Sequence, residues 1–415
     1  MMTSSVRATR RARIAVSALF LTNGAIFASL VPRYPEIKAA LELSNTVYGI
    51  LIALNPVGAM LAGVLAAALI RLFGSARVAV FTSVGLGVGI LGAALSPSIA
   101  LLAMSFLFAG AMDAITDVAQ NAHGLRVQRR SGRTIINSLH AIWSAGAVTG
   151  GAIAAGAIAI GLPLGVHIAI TSGLFAGVAL LCLRWLLPGP DQESSSAPGA
   201  PSGGADDVEA PRSSLVARIV ARGAIGRGLI VGALVLVAIG GGMVEDIAFS
   251  WAALYIGGLG ASAAVAASGF IGLVAAQFIG RLVSDRLTDL FGARAVTLTA
   301  GLMIAGGIGL AIAVPTVPGA IIGFALAGFG SAPTIPLAMQ EADRIPGLRE
   351  GTGLTIVTWL MRVAFLLSPP VIGAIADAAS LRAGLGVTVA GGVLVIVLSW
   401  VLPRKRDTPS SAAEN

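Results

Sequence analysis

Long apolar runs, broken at short intervals by glycine, serine, proline and arginine, fill most of this chain. Twelve of the runs reach the roughly 20 residues that an α-helix needs to cross ~30 Å of hydrocarbon. The pattern predicts six helices in the first half, at 13–34, 45–73, 76–95, 98–128, 133–160 and 163–187. It predicts six more in the second half, at 226–256, 262–288, 293–314, 317–343, 349–376 and 381–402.

A polar segment separates the two sets of runs. Residues 188–213 are rich in proline, glycine, serine and acids, a composition that cannot build a core and is typical of a flexible linker. The following segment, 214–223, is expected to form an amphipathic turn or two along the membrane surface. The predicted domains are a six-helix bundle over 1–187, a cytoplasmic linker over 188–224, a second six-helix bundle over 225–402 and a cytoplasmic tail over 403–415.

Composition agrees with a membrane protein. Hydrophobic residues make up 56% of the chain and charged residues 11%. A water-soluble protein of 415 residues needs a larger share of polar residues to cover its surface. The 54 glycines suit the close approach of helices in lipid. A single cysteine, Cys182, excludes an internal disulfide and a cysteine-based zinc cluster. The predicted fold class is therefore all-α, with 12 transmembrane helices in two pseudo-symmetric six-helix bundles.

The net charge of +8 does not indicate a nucleic-acid partner, because the basic residues collect at the ends of apolar runs. With both termini inside, cytoplasmic segments hold 23 basic residues and the other side holds three, Arg33, Lys38 and Arg382. This asymmetry follows the positive-inside rule. We expect a multi-pass protein of the bacterial inner membrane with both termini cytoplasmic and the first helix retained.

The two halves resemble each other at a fixed offset. LFGSARV at Leu72–Val78 recurs as LFGARAV at Leu290–Val296, and Ser44 and Ser262 are each placed to cap the second helix of their half. Such a repeat is typical of transporters, in which a central site lies between two bundles that move against each other.

These features together resemble the major facilitator superfamily, over essentially the whole chain. The resemblance implies that fold and a conformational latch in the loops after the second and eighth helices. The second copy, Gly280-Arg281-Leu282 followed by Ser284-Asp285-Arg286, is closer to the superfamily motif, whereas Arg71 replaces the aspartate in the first copy. The predicted latch residues are Arg71, Arg77, Arg133, Asp285 and Arg286.

Several stretches are similar to the bacterial inner-membrane branch related to fucose permease. They are Val31–Ser44, Asp117–Gly124, Gly132–Gly146, Glu245–Tyr255 and Pro369–Gly373. This resemblance favours transport without indicating the cargo.

The fourth helix carries three polar residues on one face, Asp113, Asp117 and Asn121, at i, i+4 and i+8. At ~1.5 Å per residue, Asp117 lies roughly 13 Å and Asp113 roughly 20 Å from the basic end of the helix. A carboxylate at that depth can exchange protons near neutral pH, so we predict a proton or substrate-cation site. The alternative is that Asp117 only holds the fourth and fifth helices together.

Arg362 in the eleventh helix and His140 in the fifth occupy equivalent positions in the two halves. An arginine near the membrane midplane needs a counter-ion, and Asp113 is the predicted partner, with an anionic substrate as the alternative. His140 can relay protons or can hydrogen-bond between helices as a neutral side chain.

Glu245 and Asp246 fall toward the outer side of the seventh helix, either as an outer gate or substrate contact or as a solvated helix end. Possible substrate contacts are Asn23, where Asn23-Gly24 weakens the first helix, and three tryptophans that could instead pack between helices, Trp143, Trp251 and Trp359. His123 and His167 are expected to be structural, and their separation argues against a shared metal site.

The sequence predicts a secondary active transporter that moves a small polar or charged organic solute by alternating access and is coupled to protons. A non-transporting membrane sensor or assembly protein on the same fold is the alternative. No Walker A motif, serine-protease nucleophile or paired metal-binding histidines occurs, so neither an ATP-driven pump nor an enzyme is expected, and no catalytic residue or cofactor is predicted. The expected partners are lipid, a small-molecule substrate and protons, with the chain as a monomer.

Overall fold

The computed structural model describes residues 2–132, 134–189, 214–349 and 351–404. The described part of the chain contains twelve helices that are long and apolar enough to cross a membrane. Most of the predicted linker, the predicted tail beyond Arg404 and Arg133 of the predicted latch lie outside the described residues. The short segment expected at the membrane surface contains the helix Ser214–Val220.

The twelve spans, α1 to α12, are all helical as predicted, and most of their bounds agree with the sequence pattern to within three residues. In the first half they are Arg7–Ala40, Asn45–Phe73, Ser75–Ala94, Ile99–Ser131, Ser138–Ala159 and Leu164–Cys182. In the second half they are Ala224–Gly258, Ala263–Phe291, Ala293–Ala313, Val317–Asp343, Thr352–Ala378 and Leu381–Val401.

The repeat seen in the sequence is visible at the helix ends. Ser44 and Ser262 accept hydrogen bonds from the backbone N–H of Val47 and Val265, at 3.2 and 3.4 Å, which confirms both predicted caps. Gly74 and Gly292 have φ of 82° and 85°, so each half turns from its second to its third helix through a backbone conformation that favours glycine.

Several spans depart from regular α-helix, among them α10, which is interrupted at Ala332–Pro333, and α12, which ends in a 3₁₀ turn at Ser399–Val401. Four further departures lie between the two bundles or near them. α1 contains a 3₁₀ turn at Val31–Arg33, and α7 contains a π-helical turn at Ile247–Trp251. α2 contains Pro56, and α11 contains Pro369 and Pro370. A proline lacks the N–H that would bond the carbonyl one turn earlier, so each of these prolines leaves one backbone oxygen without its helical donor.

One end of the molecule is closed by contacts between the halves. The carboxylate of Asp377 in α11 accepts hydrogen bonds from the backbone N–H of Asn45 (2.9 Å) and Thr46 (2.7 Å) at the start of α2. The Tyr48 hydroxyl donates to the carbonyl of Ser250 in α7 at 2.6 Å. We call this the outer end and the opposite one the inner end, following the orientation that the basic residues predict.

Glycines allow α2 and α4 to cross with their backbones in contact. A Cβ atom added at Gly58 would collide with the carbonyl oxygen of Leu107, and one added at Gly110 would collide with that of Asn55. Gly63, a little over one turn farther along α2, faces open space. Small residues at such crossings are what permit close packing in a membrane.

We expect Gly58→Ala to destabilise the protein by about 1–3 kcal/mol, because the added methyl group forces two helix backbones apart. Gly63→Ala is the matched control on the same helix and should be neutral or slightly stabilising. Thermal unfolding of the purified variants in detergent measures the difference. Equal unfolding midpoints for the two variants would contradict the assigned crossing.

Candidate functional site

Three predicted site residues from three helices form one hydrogen-bonded group. The Asn23 amide nitrogen in α1 donates to Asp113 Oδ1 in α4 at 2.9 Å. The Trp143 indole N–H in α5 donates to Asn23 Oδ1 at 2.7 Å. The group therefore joins α1, α4 and α5 within the first half, and Trp143 packs between helices through this bond.

The predicted ion pair between Asp113 and Arg362 is not formed. Asp113 is satisfied within its own half by Asn23, and Arg362 makes no ion pair or hydrogen bond with any residue in the described ranges. The depth of the two residues agreed, but the bond to Asn23 turns the Asp113 carboxylate toward α1 rather than across the molecule.

Asp117 is the carboxylate that faces the opening between the halves. Its side chain is exposed and accepts a hydrogen bond from Asn121 on the same helix at 2.9 Å. The charge of Asp117 interacts with His140 and with Arg362, both of which are also exposed. The alternative role of joining α4 to α5 has no hydrogen bond to support it, because the bond of Asp117 stays within α4.

His140 lies at the inner part of α5, where its ring stands edge-on to Phe20 with centroids 5.5 Å apart. Its electrostatic neighbours are Asp117 from the first half and Arg281 from the second. The predicted relay residue is thus near both a carboxylate and a guanidinium, and no hydrogen bond of its ring locks it between helices in the described residues.

Arg281, which the sequence analysis named only as part of the motif, lies inside α8 and pairs with Glu245. Arg281 Nη2 is 2.6 Å from Glu245 Oε1, and the same oxygen accepts a hydrogen bond from Gln277 at 2.8 Å. Arg281 Nη1 lies 3.4 Å from the hydroxyl of Ser144 in α5. This cluster therefore connects α7 and α8 of the second half with the first half.

Neither Glu245 nor Asp246 is a solvated helix end, so that alternative is wrong. α7 continues beyond both residues to Gly258, and Asp246 is only 6% exposed. Asp246 accepts hydrogen bonds from the hydroxyls of Ser250 (3.0 Å) and Ser368 (2.7 Å), which joins α7 to α11. Because Glu245 pairs with Arg281, roughly 15 Å from the inner end of α8, it lies deeper than an outer gate.

A cavity of about 260 Å³ lies between the halves, next to these charged groups. Its lining comes from α1, α2, α4, α7 and α11. Glu245, Asp246 and Arg362 supply the charges, and Asn55 supplies a side-chain amide that the sequence reasoning did not single out. Asn55 precedes Pro56 in the middle of an apolar helix. A polar residue at such a position was the sequence signal that could have identified Asn55 as part of the site.

The other predicted tryptophans do not line this cavity. Trp251 is fully buried and stands edge-on to Tyr48, with ring centroids 5.2 Å apart. Trp359 is 54% exposed near the inner end of α11. Trp251 thus packs at the closed outer end, and contact of either residue with a substrate stays a prediction.

The predicted latch residues that the structure describes are exposed at the inner end and make no ion pair or side-chain hydrogen bond there: Arg71, Arg77, Asp285 and Arg286. These four described residues therefore make no latch contact in this conformation. This agrees with an inner end at which Asp117, His140, Trp359 and Arg362 are all exposed.

The remaining histidines occupy buried positions away from the cavity. His123 Nδ1 is 2.9 Å from the Ser75 hydroxyl, and its Nε2 accepts a hydrogen bond from the Leu187 N–H at 3.2 Å, so His123 ties α4 to two neighbouring segments. His167 is 1% exposed in α6. Within the described ranges no group of three or more metal-binding side chains occurs.

Comparison with known proteins agrees with this architecture. The sequence profile of the Major Facilitator Superfamily matches residues 16–346 and 276–415. A solved structure of a D-xylose-proton symporter has the same fold, with a TM-score of 0.70 and 15% identity over 94% of this chain and 97% of that one.

Two bacterial relatives match over nearly their whole length. An uncharacterized transporter, y4wD, of Sinorhizobium fredii is 30% identical over 93% of this chain and 97% of its own. The membrane protein MosC of Rhizobium meliloti is 27% identical over 95% and 90%. The resemblance to the fucose-permease branch stays a prediction. With its twelve spans and with profile matches that together reach from residue 16 to residue 415, the chain belongs to the Major Facilitator Superfamily of membrane transporters.

Proposed function

We propose that the protein is a secondary active transporter that moves a small polar or charged organic solute across the bacterial inner membrane by alternating access, with proton coupling. The observation that carries this proposal is the cavity between the halves, which is lined by charged groups and closed at the outer end only. A sensor or assembly protein would not need exposed charges along a path from the cavity to the inner end.

The proposed orientation places both termini and the inner end in the cytoplasm. It rests on the distribution of basic residues, because Arg71, Arg77, Arg129 and Arg130 lie at one end of their helices. The structure then corresponds to an inward-open state, and transport requires the contacts at the outer end to break while the inner end closes.

Asp117 is the proposed proton carrier. It is exposed toward the opening and interacts electrostatically with His140 and Arg362. It lies one turn from Asp113, which already accepts a hydrogen bond from Asn23. Uptake of a proton removes the negative charge that faces Arg362. This weakens the attraction between the halves and couples protonation to the conformational change.

The function is tested in sealed proteoliposomes that enclose a pH-sensitive dye. Sugars, organic acids and organic cations are added outside one at a time, and a solute that is carried with protons changes the internal pH. We expect at least one class to do so in liposomes with the protein and not in empty ones. Solute entry without any pH change would contradict proton coupling, and no entry of any solute would contradict transport.

Asp117→Asn is expected to reduce pH-driven accumulation of the transported solute at least tenfold while leaving solute exchange intact. Asparagine mimics the protonated carboxyl, so the carrier can still change conformation but cannot release the proton. Exchange and accumulation are measured with radiolabelled solute. Asp289→Asn, an exposed acid at the inner end of α8, is the matched control and should change neither. If Asp113→Asn and Asp117→Asn both accumulate solute normally, the coupling proposal is wrong.

A further inference from the structure

The charged side chains that line the cavity differ in how far other residues of the protein already bond to them. Glu245 is paired with Arg281 at 2.6 Å and also accepts from Gln277. Asp246 accepts one hydroxyl on each oxygen, from Ser250 and Ser368. Glu245 therefore has a counter-ion within the protein, and each oxygen of Asp246 has a hydrogen-bond donor.

Arg362 is the charged cavity residue without a partner. Its guanidinium is exposed and lies within 4.0 Å of no carboxylate in the described ranges, although the charge of Asp117 acts on it from a longer distance. A guanidinium presents parallel N–H donors that match the two oxygens of a carboxylate. An arginine that lines a cavity within a membrane span and has no carboxylate partner is positioned to bind an anionic ligand.

Asn55 adds a second unused donor. Its amide nitrogen is buried and has no hydrogen-bond partner in the described residues, and the residue lines the same cavity as Arg362. A half-turn of the amide about its last torsion exchanges the positions of its nitrogen and oxygen, and an anionic ligand would favour the orientation in which the nitrogen faces the cavity. Asn55 comes from α2 and Arg362 from α11, so one ligand can contact both halves.

The rest of the lining is mostly apolar, and its remaining hydroxyl groups belong to Tyr34 and Ser250. Phe27, Phe106, Phe249 and Phe365 contribute rings from both halves. A sugar requires a hydrogen-bond partner for each hydroxyl that it buries, and with Asp246, Glu245 Oε1 and the Ser250 hydroxyl already hydrogen-bonded the cavity offers few. An apolar body with a single anionic group fits these walls better.

Resting on the proposed transport function, we infer that the cavity between the halves binds a small monocarboxylate with an aryl or alkyl body. The carboxylate is held by Arg362 and Asn55, and the body lies against the phenylalanines. Asp117 and the ligand carboxylate then interact with the same guanidinium, which relates substrate binding to the proposed proton step.

Three compounds of the same shape and different charge test this inference. They are 3-phenylpropanoate, the neutral 3-phenylpropanamide and the cationic 3-phenylpropylamine. Binding to the purified full-length protein is measured by titration calorimetry in detergent. We expect the carboxylate to bind at least tenfold more tightly than the amide and the amine to bind more weakly still.

Substitutions at Arg362 and Asn55 test whether these two donors cause the preference for the carboxylate. Arg362→Gln should remove the tenfold preference for the carboxylate over the amide, and Arg362→Lys should retain part of it. Asn55→Leu, which keeps the side-chain size, should weaken carboxylate binding at least threefold. Arg349→Gln removes the same charge from an exposed position near the inner end of α11 and is expected to bind as the wild type does. Elution as a single size-exclusion peak shows that each variant is folded.

Preference for the amide or the amine overturns the inference, as does failure of all three to bind or an unchanged preference in Arg362→Gln. The solute screen separates this failure from failure of the transport proposal. If sugars or cations enter the proteoliposomes and these carboxylates neither bind nor enter, transport stands and the monocarboxylate class is wrong.

Discussion

Arg281→Gln is expected to destabilise the protein by about 2–4 kcal/mol, because it leaves the Glu245 carboxylate without its counter-ion inside the membrane. The pair is short, at 2.6 Å, but Arg281 is 39% exposed, so solvent screening keeps the effect below that of a fully buried pair. Unfolding in mixed detergent micelles measures the loss. Arg286→Gln, five residues along the same helix and without an ion pair, should cost less than about 0.5 kcal/mol.

The double variant Arg281→Gln/Glu245→Gln isolates the interaction between the two side chains. Two amides can hydrogen-bond to each other, so we expect most of the stability lost in Arg281→Gln to return. Losses that simply add would show that the two charges contribute independently and that the ion pair contributes nothing of its own.

Asp377→Ala is expected to shift the protein toward an outward-open conformation by roughly tenfold to thirtyfold. The carboxylate of Asp377 accepts two backbone N–H groups at the start of α2, and hydrogen bonds of this kind contribute about 1.5–3 kcal/mol each before exposure reduces them. These bonds exist only when the outer end is closed, so their loss favours the open state.

Spin labels at Ile160→Cys and Val314→Cys, exposed at the outer end of the two halves, report the change as a longer distance population. The native cysteine is first replaced as Cys182→Ala. Asp289→Ala, at the inner end, is the matched control and should leave the distances unchanged. A distance distribution unaffected by Asp377→Ala would show that the outer end stays closed without the hydrogen bonds of Asp377.

Apolar run length and charge asymmetry predicted the helices well, because hydrocarbon thickness fixes how many apolar residues a span needs. The ends of helices were predicted accurately where a specific residue, such as a capping serine, marks them. Ser44 and Ser262 cap their helices as expected, and α2 begins and ends where the pattern placed it. The predicted domain bounds at the linker stay predictions, since residues 190–213 lie outside the described part.

Side-chain partners were harder to predict, because position along a helix gives depth but not direction across the bundle. Asp113 and Arg362 lie at similar depths, yet Asp113 bonds to Asn23 on a neighbouring helix of its own half. Arg281 was noted only as part of the latch motif and was not among the predicted site residues, so its pairing with Glu245 was missed. Gln277, one turn earlier on the same face, was the signal that Arg281 belongs to a polar cluster.

The π-helical turn at Ile247–Trp251 directly follows Glu245 and Asp246 in α7. Such a turn accommodates one more residue than an α-helical turn, so chain length sets the angle between the acids and the outer segment that carries Tyr255. Deleting one residue there would let the turn relax to α-helical geometry and keep the outer segment, with the Tyr255 hydroxyl 2.6 Å from the Ala311 carbonyl, close to its present orientation. The same deletion in a regular α-helical part of α7 would rotate that segment by about 100°. Libraries of point substitutions keep chain length constant and therefore cannot sample this variable, whereas single-residue insertions and deletions can.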